Sequence, residues 1–268
     1  ITSRLVGSEM CIRDRYKSTS KCKYSMGKSF LLVGGSSDIG LRLATMLLDE
    51  GHDVTLLARD AERVNQLVAK GAVLVQGDAL DEETVQAAVA TASEAGENGL
   101  SGMAHLVGSI ALRPPHATKL EDFQSVLQTN LVSAFLALKT AGKAMLKLGQ
   151  GRMVFTSSVA GSYGLTNHEA IAAAKGGIEA MVRSAASTYA GRGLRVNAVA
   201  PGLTETRLGA TVLRSDAIRE ASVGMIPLKR INEPEEIAQS MHWLLTDAPD
   251  NLTGQIIHLD GGMSALRG

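Results

Sequence analysis

Short apolar runs alternate with helical stretches from residue 28 onward, and this alternation limits the possible folds more than any other feature of the sequence. The apolar runs predict strands at residues 29–35, 52–59, 72–78, 103–109, 151–158, 194–202 and 254–262. Helical spacing of apolar residues predicts helices at 38–51, 60–71, 81–96, about 119–148 and 168–190. Strands that alternate with helices form a parallel sheet covered on both faces, doubly wound by right-handed crossovers. We therefore predict an α/β fold with about seven strands.

The length and composition fit one domain, residues 26–268, with no linker or internal repeat inside it. The chain has 268 residues, of which 45% are apolar, enough for a sizeable core. The formal net charge is zero, so we expect no nucleic-acid partner and no anionic membrane surface as partner. No apolar run approaches the roughly 18 residues that a membrane span needs.

The first 25 residues differ from the rest of the chain. They contain six Lys or Arg residues, two acidic residues and both cysteines, Cys11 and Cys22, without a sustained apolar period. They are interpreted either as a basic organelle-targeting peptide or as a non-native or disordered leader. We favour the second, because "VGSEMCIRDR" resembles translated adaptor sequence and Met26 is then the natural start. Residues 26–268 lack cysteine, which suits a reducing compartment, so we expect a cytoplasmic protein.

A glycine-rich segment, "VGGSSDIG" at 33–40, joins the first strand to the first helix. Gly34 permits a tight turn, and Gly40 lets the helix pack closely on the strand. Backbone N–H groups at a helix start attract anions, and the helix dipole adds to this attraction. We therefore predict a phosphate-binding loop that includes Gly34, Ser36, Ser37, Ile39 and Gly40. A carboxylate beside a phosphate is unfavourable, so we expect Asp38 to cap the helix and point away.

The spacing of this loop resembles T-G-x-x-x-G-x-G of the short-chain dehydrogenase/reductase family, with Val33 for the threonine and Asp38 for the middle glycine. The resemblance extends from about residue 29 to 263 and implies a Rossmann-type sheet. It implies that Asp78 in "GDAL" holds the adenine ring and that Gly108 in "HLVG" borders the cofactor, while His105 only packs. It also implies that "APGLTET" caps the nicotinamide through Pro201, Gly202, Thr204 and Thr206.

The end of the second strand bears on the choice of cofactor. Enzymes that bind NAD usually carry an acid there, which bonds the ribose 2′-hydroxyl. Here Ala58 takes that place and Arg59 follows, which resembles the NADP pattern because a guanidinium can pair with a 2′-phosphate. The alternative is that Arg59 is a solvated loop residue and that Asp60 only caps the next helix. We predict NADP(H) as the cofactor, ahead of NAD(H).

The family's catalytic residues are matched except one. Asn130 corresponds to the residue that holds a relay water, Ser158 to the serine that stabilises the substrate oxygen, and Lys175 to the lysine that binds the nicotinamide ribose. The alternatives without a role in the site are that Lys175 is a surface lysine and that Ser158 only places a hydroxyl at the end of a strand. The catalytic tyrosine belongs four residues before Lys175 and thirteen after Ser158, and that place is Ile171. Isoleucine carries no exchangeable proton, so the usual proton donor is missing.

Three replacements for the tyrosine are open. "NHEAIAAAK" is similar to N-Y-x-x-x-x-x-A-K of enoyl-thioester reductases, a branch of the same family, with His168 in the tyrosine's place. Residues 168, 171, 172 and 175 share one helical face, so His168 could face the same cleft. The alternative for His168 is a capping or solvated residue at a helix start. Tyr163 and an ordered water are the other two candidates.

Two functions follow from these residues. The first is an NADP(H)-dependent oxidoreductase acting on a carbonyl or an activated double bond of a small molecule. The second is a cofactor-binding protein that lost the chemistry and serves as a sensor or partner subunit. The lid segment at about 203–226 mixes charge with small apolar groups and suggests a medium-sized, partly polar substrate. The helices at about 119–148 and 168–190 resemble those by which family members form dimers and tetramers. This resemblance implies a homodimer or homotetramer, packed closely through the small residues Ala134, Ala137, Ala180, Ala185 and Ala186.

Overall fold

A computed structural model describes residues 27–266 and contains one parallel sheet. The seven strands lie in the order β3-β2-β1-β4-β5-β6-β7. They are β1 (Ser29–Val33), β2 (Asp53–Ala58), β3 (Val73–Gln76), β4 (Leu100–His105), β5 (Gly151–Thr156), β6 (Leu194–Pro201) and β7 (Ile256–Leu259). This order, with a reversal between β1 and β4, confirms the Rossmann-type prediction.

Helices cover both faces of the sheet. They are α1 (Asp38–Asp49), α2 (Asn65–Ala69), α3 (Glu82–Ala95), α4 (Leu120–Leu127), α5 (Ser133–Leu148), α6 (Glu169–Tyr189), α7 (Arg207–Ala210), α8 (Asp216–Gly224) and α9 (Pro234–Thr246). Side chains of β1 alternate between two hydrophobic clusters: Leu31 packs with α3, α5 and α6, and Phe30 packs with α1 and α9. No helix within residues 27–266 is long and apolar enough to cross a membrane.

Several element boundaries differ from the sequence prediction. Strand β4 begins at Leu100 rather than at residue 103, because Leu100 and Gly102 pair with β1. The helix expected at 60–71 is a 3-10 turn followed by the short helix α2. The helical region at 119–148 is interrupted by one turn of π-helix at Gln128–Val132. Helix α9 was not predicted, although Pro234 begins it and Glu233 forms a capping box with Glu236.

The small residues proposed for subunit contacts mostly face the interior of the chain. Ala134, Ala137, Ala185 and Ala186 are buried against the sheet, whereas Ala180 is exposed. Small side chains let α5 and α6 lie close to the strands, and this packing accounts for four of the five positions. These four residues therefore form no part of an outer contact surface, and that part of the prediction is wrong.

Candidate active site

A single cleft of about 610 Å³ runs along the carboxyl ends of the strands, where the loops after β1 and β4 diverge. It is lined by nearly all the residues singled out from the sequence. These are Gly34, Ser36, Ser37, Ile39, Arg59, Asp78, Gly108, Asn130, Ser158, His168, Ile171, Lys175, Pro201, Gly202, Thr204 and Thr206. Gly40 lies behind the loop, where a Cβ would stand 2.8 Å from the Gly35 carbonyl oxygen, which fits its predicted packing role.

The glycine-rich loop has the backbone that its sequence predicts. Gly34 has φ +88°, and a Cβ there would come within 2.9 Å of the Val107 nitrogen, so the loop after β4 approaches closely. Ser37, not Asp38, is the N-cap of α1: its backbone is extended, and its hydroxyl accepts a 3.0 Å hydrogen bond from the Gly40 N–H. The expectation that Asp38 caps the helix is therefore wrong, because Asp38 is already the first helical residue.

Asp38 makes longer-range contacts instead. Its Oδ1 accepts a 2.7 Å hydrogen bond from Arg63 Nη2, and its Oδ2 accepts a 2.8 Å bond from the backbone N–H of Arg207. Partial burial acts to raise the pKa of Asp38, but these hydrogen bonds outweigh it and hold that pKa below its usual value. The carboxylate therefore stays ionised beside the loop, with a cation already paired to it.

The part of the cleft after β2 carries the guanidinium of Arg59. The Arg59 side chain is 79% exposed, and within residues 27–266 it forms one ion pair, with Asp78 at 3.7 Å. Such an exposed, long pair adds little energy and leaves the guanidinium available to an anionic ligand. Asp60 accepts a 3.3 Å hydrogen bond from the Arg63 N–H, but Ala61 is the N-cap of the following 3-10 turn, so the expectation that Asp60 is the N-cap is wrong.

Asn130 lies in the π-helical turn and is fully buried. Its amide nitrogen donates to the Val126 carbonyl at 2.9 Å and to the Ser109 carbonyl at 3.2 Å. Its amide oxygen accepts a 3.3 Å bond from the Ser109 N–H. The side chain thus fixes the loop after β4, a positioning role that the sequence resemblance did not imply, and its part in holding a relay water stays a prediction.

Lys175 lies on α6 and lines the cleft. The residue is 6% exposed, and its ammonium donates a 2.8 Å hydrogen bond to the Thr156 carbonyl at the end of β5. Burial lowers the pKa of Lys175 to about 8, because a charged ammonium is poorly solvated there. An ammonium has three donors, so the group can bond further acceptors in the cleft.

His105 is the last residue of β4 and packs in the core, as expected. It is fully buried, and its Nε2 lies 2.9 Å from the Ser133 hydroxyl. Burial lowers the pKa of His105 to about 3, and the charge of Lys175 acts in the same direction. The ring is therefore neutral and takes no part in proton transfer.

Ser158 follows β5 and lines the cleft. Its hydroxyl oxygen accepts a 3.2 Å hydrogen bond from the Ala160 N–H, which leaves the hydroxyl proton free to be donated. The preceding Ser157 donates a 2.9 Å hydrogen bond to the buried carboxylate of Glu179. Glu179 thus ties the end of β5 to α6. Sequence reasoning missed Glu179, although an acid four residues after Lys175 on the same helical face was a signal for it.

The tyrosine position is apolar in structure as well as in sequence. Ile171 is 4% exposed and packs with Val126, Ala160 and Ala174 while lining the cleft. The small cluster around it leaves no ionisable group at this place. Any proton donor must therefore be a residue other than the one at position 171.

His168 lies just before α6 and lines the cleft. Its Nδ1 is 2.8 Å from the Thr166 carbonyl oxygen, an acceptor, so Nδ1 carries a proton and Nε2 is the second, available nitrogen. Tyr163, the other candidate side chain, is 41% exposed and does not line the cleft. The Tyr163 candidate is therefore not supported, although Ala160 and Leu165 on either side of it line the cleft.

The lid side of the cleft mixes apolar and polar side chains, as the lid sequence suggests. The apolar lid residues that line it include Leu208, Val212, Met225 and Ile226, together with Leu165, Ile171 and Met263 from the α6 end and the C-terminal segment. The polar lid residues that line it are Thr204, Thr206, Thr211 and Ser222, and Arg207 is the one charged residue of the lid that lines the cleft within the described chain. The other lid charges lie elsewhere, for example in the Arg219–Glu205 ion pair. Hydroxyl groups and one guanidinium of the lid therefore reach the ligand space, while most lid charges do not.

Known proteins are similar in sequence to this chain over most of its length. The family model described as "Enoyl-(Acyl carrier protein) reductase" matches residues 34–264. Carbonyl reductase family member 4 of Danio rerio is 37% identical over 246 residues, which cover 90% of this chain and 100% of that protein. The 2-(S)-hydroxypropyl-CoM dehydrogenase 3 of Xanthobacter autotrophicus is 34% identical over 245 residues, which cover 88% of this chain and 96% of that protein.

A solved structure agrees with these relatives. It is assigned to a candidate NAD(P)-dependent gluconate 5-dehydrogenase from Beutenbergia cavernae and holds NADP at low occupancy. It superposes with a TM-score of 0.83 at 29% identity, over 90% of this chain and 98% of that one. All residues that line the cleft fall within the range matched by the family model.

Proposed function

The chain belongs to the short-chain dehydrogenase/reductase family of oxidoreductases, and we propose that it uses NADP(H) to act on a carbonyl or an activated double bond of a small, partly polar molecule. One observation carries this proposal: a single cleft joins the phosphate-binding loop to Ser158, Lys175 and His168. The lid side of that cleft, where apolar side chains are mixed with hydroxyl groups, supports a partly polar substrate.

The residues present fit a dinucleotide. Gly108 lacks a side chain where a Cβ would stand 3.7 Å from Lys175 Nζ and 3.1 Å from Asn130 Oδ1, so the wall beside the lysine stays open. The loop at the start of α1 offers backbone donors to phosphate groups. Lys175 has spare donors for ribose hydroxyls, and Arg59 is free to meet a 2′-phosphate. When bound, the nicotinamide gives a hydride to the substrate or takes one from it.

The chain's own residues handle the substrate oxygen and the proton. Ser158 donates a hydrogen bond to that oxygen and so stabilises the negative charge that develops on it. His168 gives a proton from Nε2 in the direction of reduction and takes one there in the direction of oxidation. Its Nδ1–H bond to the Thr166 carbonyl fixes the ring, so that Nε2 is the nitrogen that exchanges. Lys175 orients the cofactor ribose and adds positive charge to the site.

The first experiment is a titration of the purified chain with NADPH and NADH, followed by intrinsic fluorescence and melting temperature. We expect saturable binding of both cofactors, tighter for NADPH, and then turnover with ketones or enoyl compounds. The proposal is refuted if neither cofactor binds. A screen of ketones and enoyl compounds with and without a hydroxyl group then identifies substrates.

Arg59→Ala is expected to raise the Kd of NADPH about tenfold while changing that of NADH less than about twofold, because a charge-assisted pair with the 2′-phosphate is lost. The two Kd values are measured by the same fluorescence titration. Arg192→Ala, an exposed arginine outside the cleft, is the control and should change neither value. Equal losses for both cofactors would show that Arg59 does not read the 2′-phosphate.

A second function has one observation in its favour. Ile171 places an apolar, buried side chain where the family carries its proton donor. The chain could therefore bind NADP(H) without turning over a substrate and act as a sensor or as a partner subunit. Turnover that depends on His168 distinguishes the two functions, and the corresponding variants are treated in the Discussion.

We also propose that the chain forms a homodimer or homotetramer through the outer faces of α4, α5 and α6, and that it works in the cytoplasm. Leu120 and Phe135, two large apolar residues on α4 and α5, are 64% and 53% exposed and support such a contact. Light scattering on the purified chain measures the assembly.

The lack of cysteine in 26–268 supports a reducing compartment, while the leader at 1–25 lies outside the described residues.

A further inference from the structure

We propose that Asp38 fastens the lid to the phosphate-binding loop and thereby sets how fast a bound dinucleotide leaves. Asp38 is a positioning residue in this role and takes no part in the chemistry. The effect on release rests on the proposed NADP(H) binding. The link itself is present in the protein without a cofactor, so the two can be tested apart.

One carboxylate joins three segments that are distant in sequence. Its Oδ2 accepts a 2.8 Å hydrogen bond from the N–H of Arg207, 169 residues away and the first residue of α7. Its Oδ1 accepts a 2.7 Å bond from Arg63, in the 3-10 turn after β2. Arg63 also donates to the Ser36 carbonyl, within the phosphate-binding loop. The loop, the turn and the lid are therefore connected through a single side chain.

The link spans the cleft. Ser36, Ser37 and Asp38 line the cleft on the side of α1, and Thr206, Arg207 and Leu208 line it on the side of the lid. A dinucleotide phosphate at the loop would lie beside this bridge, on the path between the two sides. Separation of the two sides would widen the space beside the loop, so we expect the bridge to slow the release of that phosphate group.

The residues before Arg207, at positions 204–206, are themselves anchored, and this anchoring makes the link to Asp38 effective. The Thr206 hydroxyl caps α7 by accepting a 2.9 Å hydrogen bond from the Gly209 N–H. The Glu205 N–H donates to the Asn232 carbonyl at 2.8 Å, and Thr204 is buried. The residues around Arg207 are thus held in place, and its backbone N–H points at Asp38. A hydrogen bond to such an anchored segment resists opening more than a bond to a loose loop does.

The charge balance permits a carboxylate at this place. An unpaired anion beside the loop would repel phosphate. Arg63 neutralises Asp38, and its guanidinium is only 20% exposed, so the pair is weakly screened by solvent. A glycine, which the family pattern has here, could form neither bond. The departure of Asp38 from that pattern therefore adds a lid fastening whose negative charge is balanced by Arg63.

Three variants test the link in the full chain. Asp38→Gly removes both hydrogen bonds and restores the family pattern. Asp38→Asn keeps one acceptor oxygen and loses the charge. Asp81→Asn is the control, because Asp81 caps α3 and does not contact the lid. Circular dichroism melting shows whether each variant folds, and Asp38→Asn keeps the test decisive if the glycine variant does not.

The first readout is hydrogen exchange at the amides of residues 207–212 in the protein without cofactor. We expect faster exchange in Asp38→Gly, starting with the Arg207 amide that loses its acceptor, a smaller change in Asp38→Asn and none in Asp81→Asn. The second readout is the dissociation rate of NADPH in a stopped-flow displacement. Loss of a charge-assisted bond should raise that rate about tenfold in Asp38→Gly.

The outcomes separate the inference from the proposed function. Unchanged exchange at Arg207 in both Asp38 variants shows that the link does not hold the lid. Faster exchange with an unchanged NADPH dissociation rate shows that the link does not set release, and either result overturns the proposal. If the wild-type chain binds no NADPH or NADH, the proposed function and the role in release fall together, while the exchange data still decide whether Asp38 holds the lid.

Discussion

Replacing Lys175 by methionine is expected to raise the free energy of unfolding at pH 7 by roughly 1–2 kcal/mol and to weaken NADPH binding at least about tenfold. The stability gain arises because a buried ammonium with a lowered pKa is costly to keep charged, whereas methionine has similar length and no charge. The lost hydrogen bond to the Thr156 carbonyl offsets part of the gain. Binding weakens because no other ammonium reaches that part of the described cleft.

The stability difference should depend on pH. The folded-state pKa of Lys175 is about 8, against 10.5 for an unburied lysine. Below about pH 8 both states of the wild-type chain hold the proton, so the burial penalty is complete. Between about pH 8 and 10.5 the unfolded state holds more protons, so the wild-type chain gains stability as the pH rises. The advantage of the methionine variant should therefore shrink across this range.

Urea unfolding at pH 7, 8, 9 and 10 measures this difference. Lys143→Met, a change at an exposed lysine on α5, is the matched control and should show a small difference that does not vary in this way. A constant difference between wild type and Lys175→Met across the series would show that the ammonium is not buried as described. Unaltered NADPH affinity would remove Lys175 from the cofactor site.

His168→Ala is expected to lower turnover about a hundredfold or more while leaving the NADPH Kd within about twofold, because general acid–base catalysis contributes roughly 10²–10⁴-fold. The loss should be greatest for kcat, since the ring acts on the proton rather than on cofactor binding. His168→Tyr places a phenol seven residues before Lys175, as in the enoyl-thioester reductase pattern, and should recover part of the activity. Steady-state kinetics with a ketone or enoyl substrate from the screen gives the turnover of both variants. The fluorescence titration gives their Kd for NADPH.

Ile171→Tyr complements this test. It places a phenol in the family's usual position, within a cluster that includes Val126 and Ala174. An enzyme that uses His168 should gain nothing and lose substrate space, since Ile171 lines the cleft. A chain that only binds the cofactor should acquire turnover. Activity that is unchanged by His168→Ala would exclude His168 as the donor and leave an ordered water in that role.

The architecture of the site could be predicted because its signals are local. Gly34 and Ser37 lie in one short loop between a strand and a helix, and the loop's spacing identifies it. Ser158 ends a strand, and Lys175 lies on the next helix at a spacing that the family shares. Each of these positions depends on one element and its terminus, so the chain sequence alone placed them in the same cleft.

The parts that could not be predicted depend on contacts between distant segments. Nothing near Asp38 in the sequence indicates Arg207, and the local rule for an acid at a helix start suggested a cap instead. The small residues of α5 and α6 suit the sheet and a partner helix equally well, so composition could not say which side they face. The sequence also could not show that Tyr163 is exposed outside the cleft, because its distance from Ser158 along the chain does not determine where its side chain lies.

The strand order has a consequence for how the chain assembles during synthesis. Strands β2 and β3 extend one side of β1, and β4 to β7 then extend the other side in the order in which the ribosome delivers them. Each nascent strand therefore meets an edge that already exists, and no strand has to insert between two others that are paired. Strand β4 follows the same rule, because it joins the free edge of β1 after the first two crossovers are complete. The phosphate-binding loop is therefore synthesised early, whereas the residues that handle the proton and the lid are synthesised late.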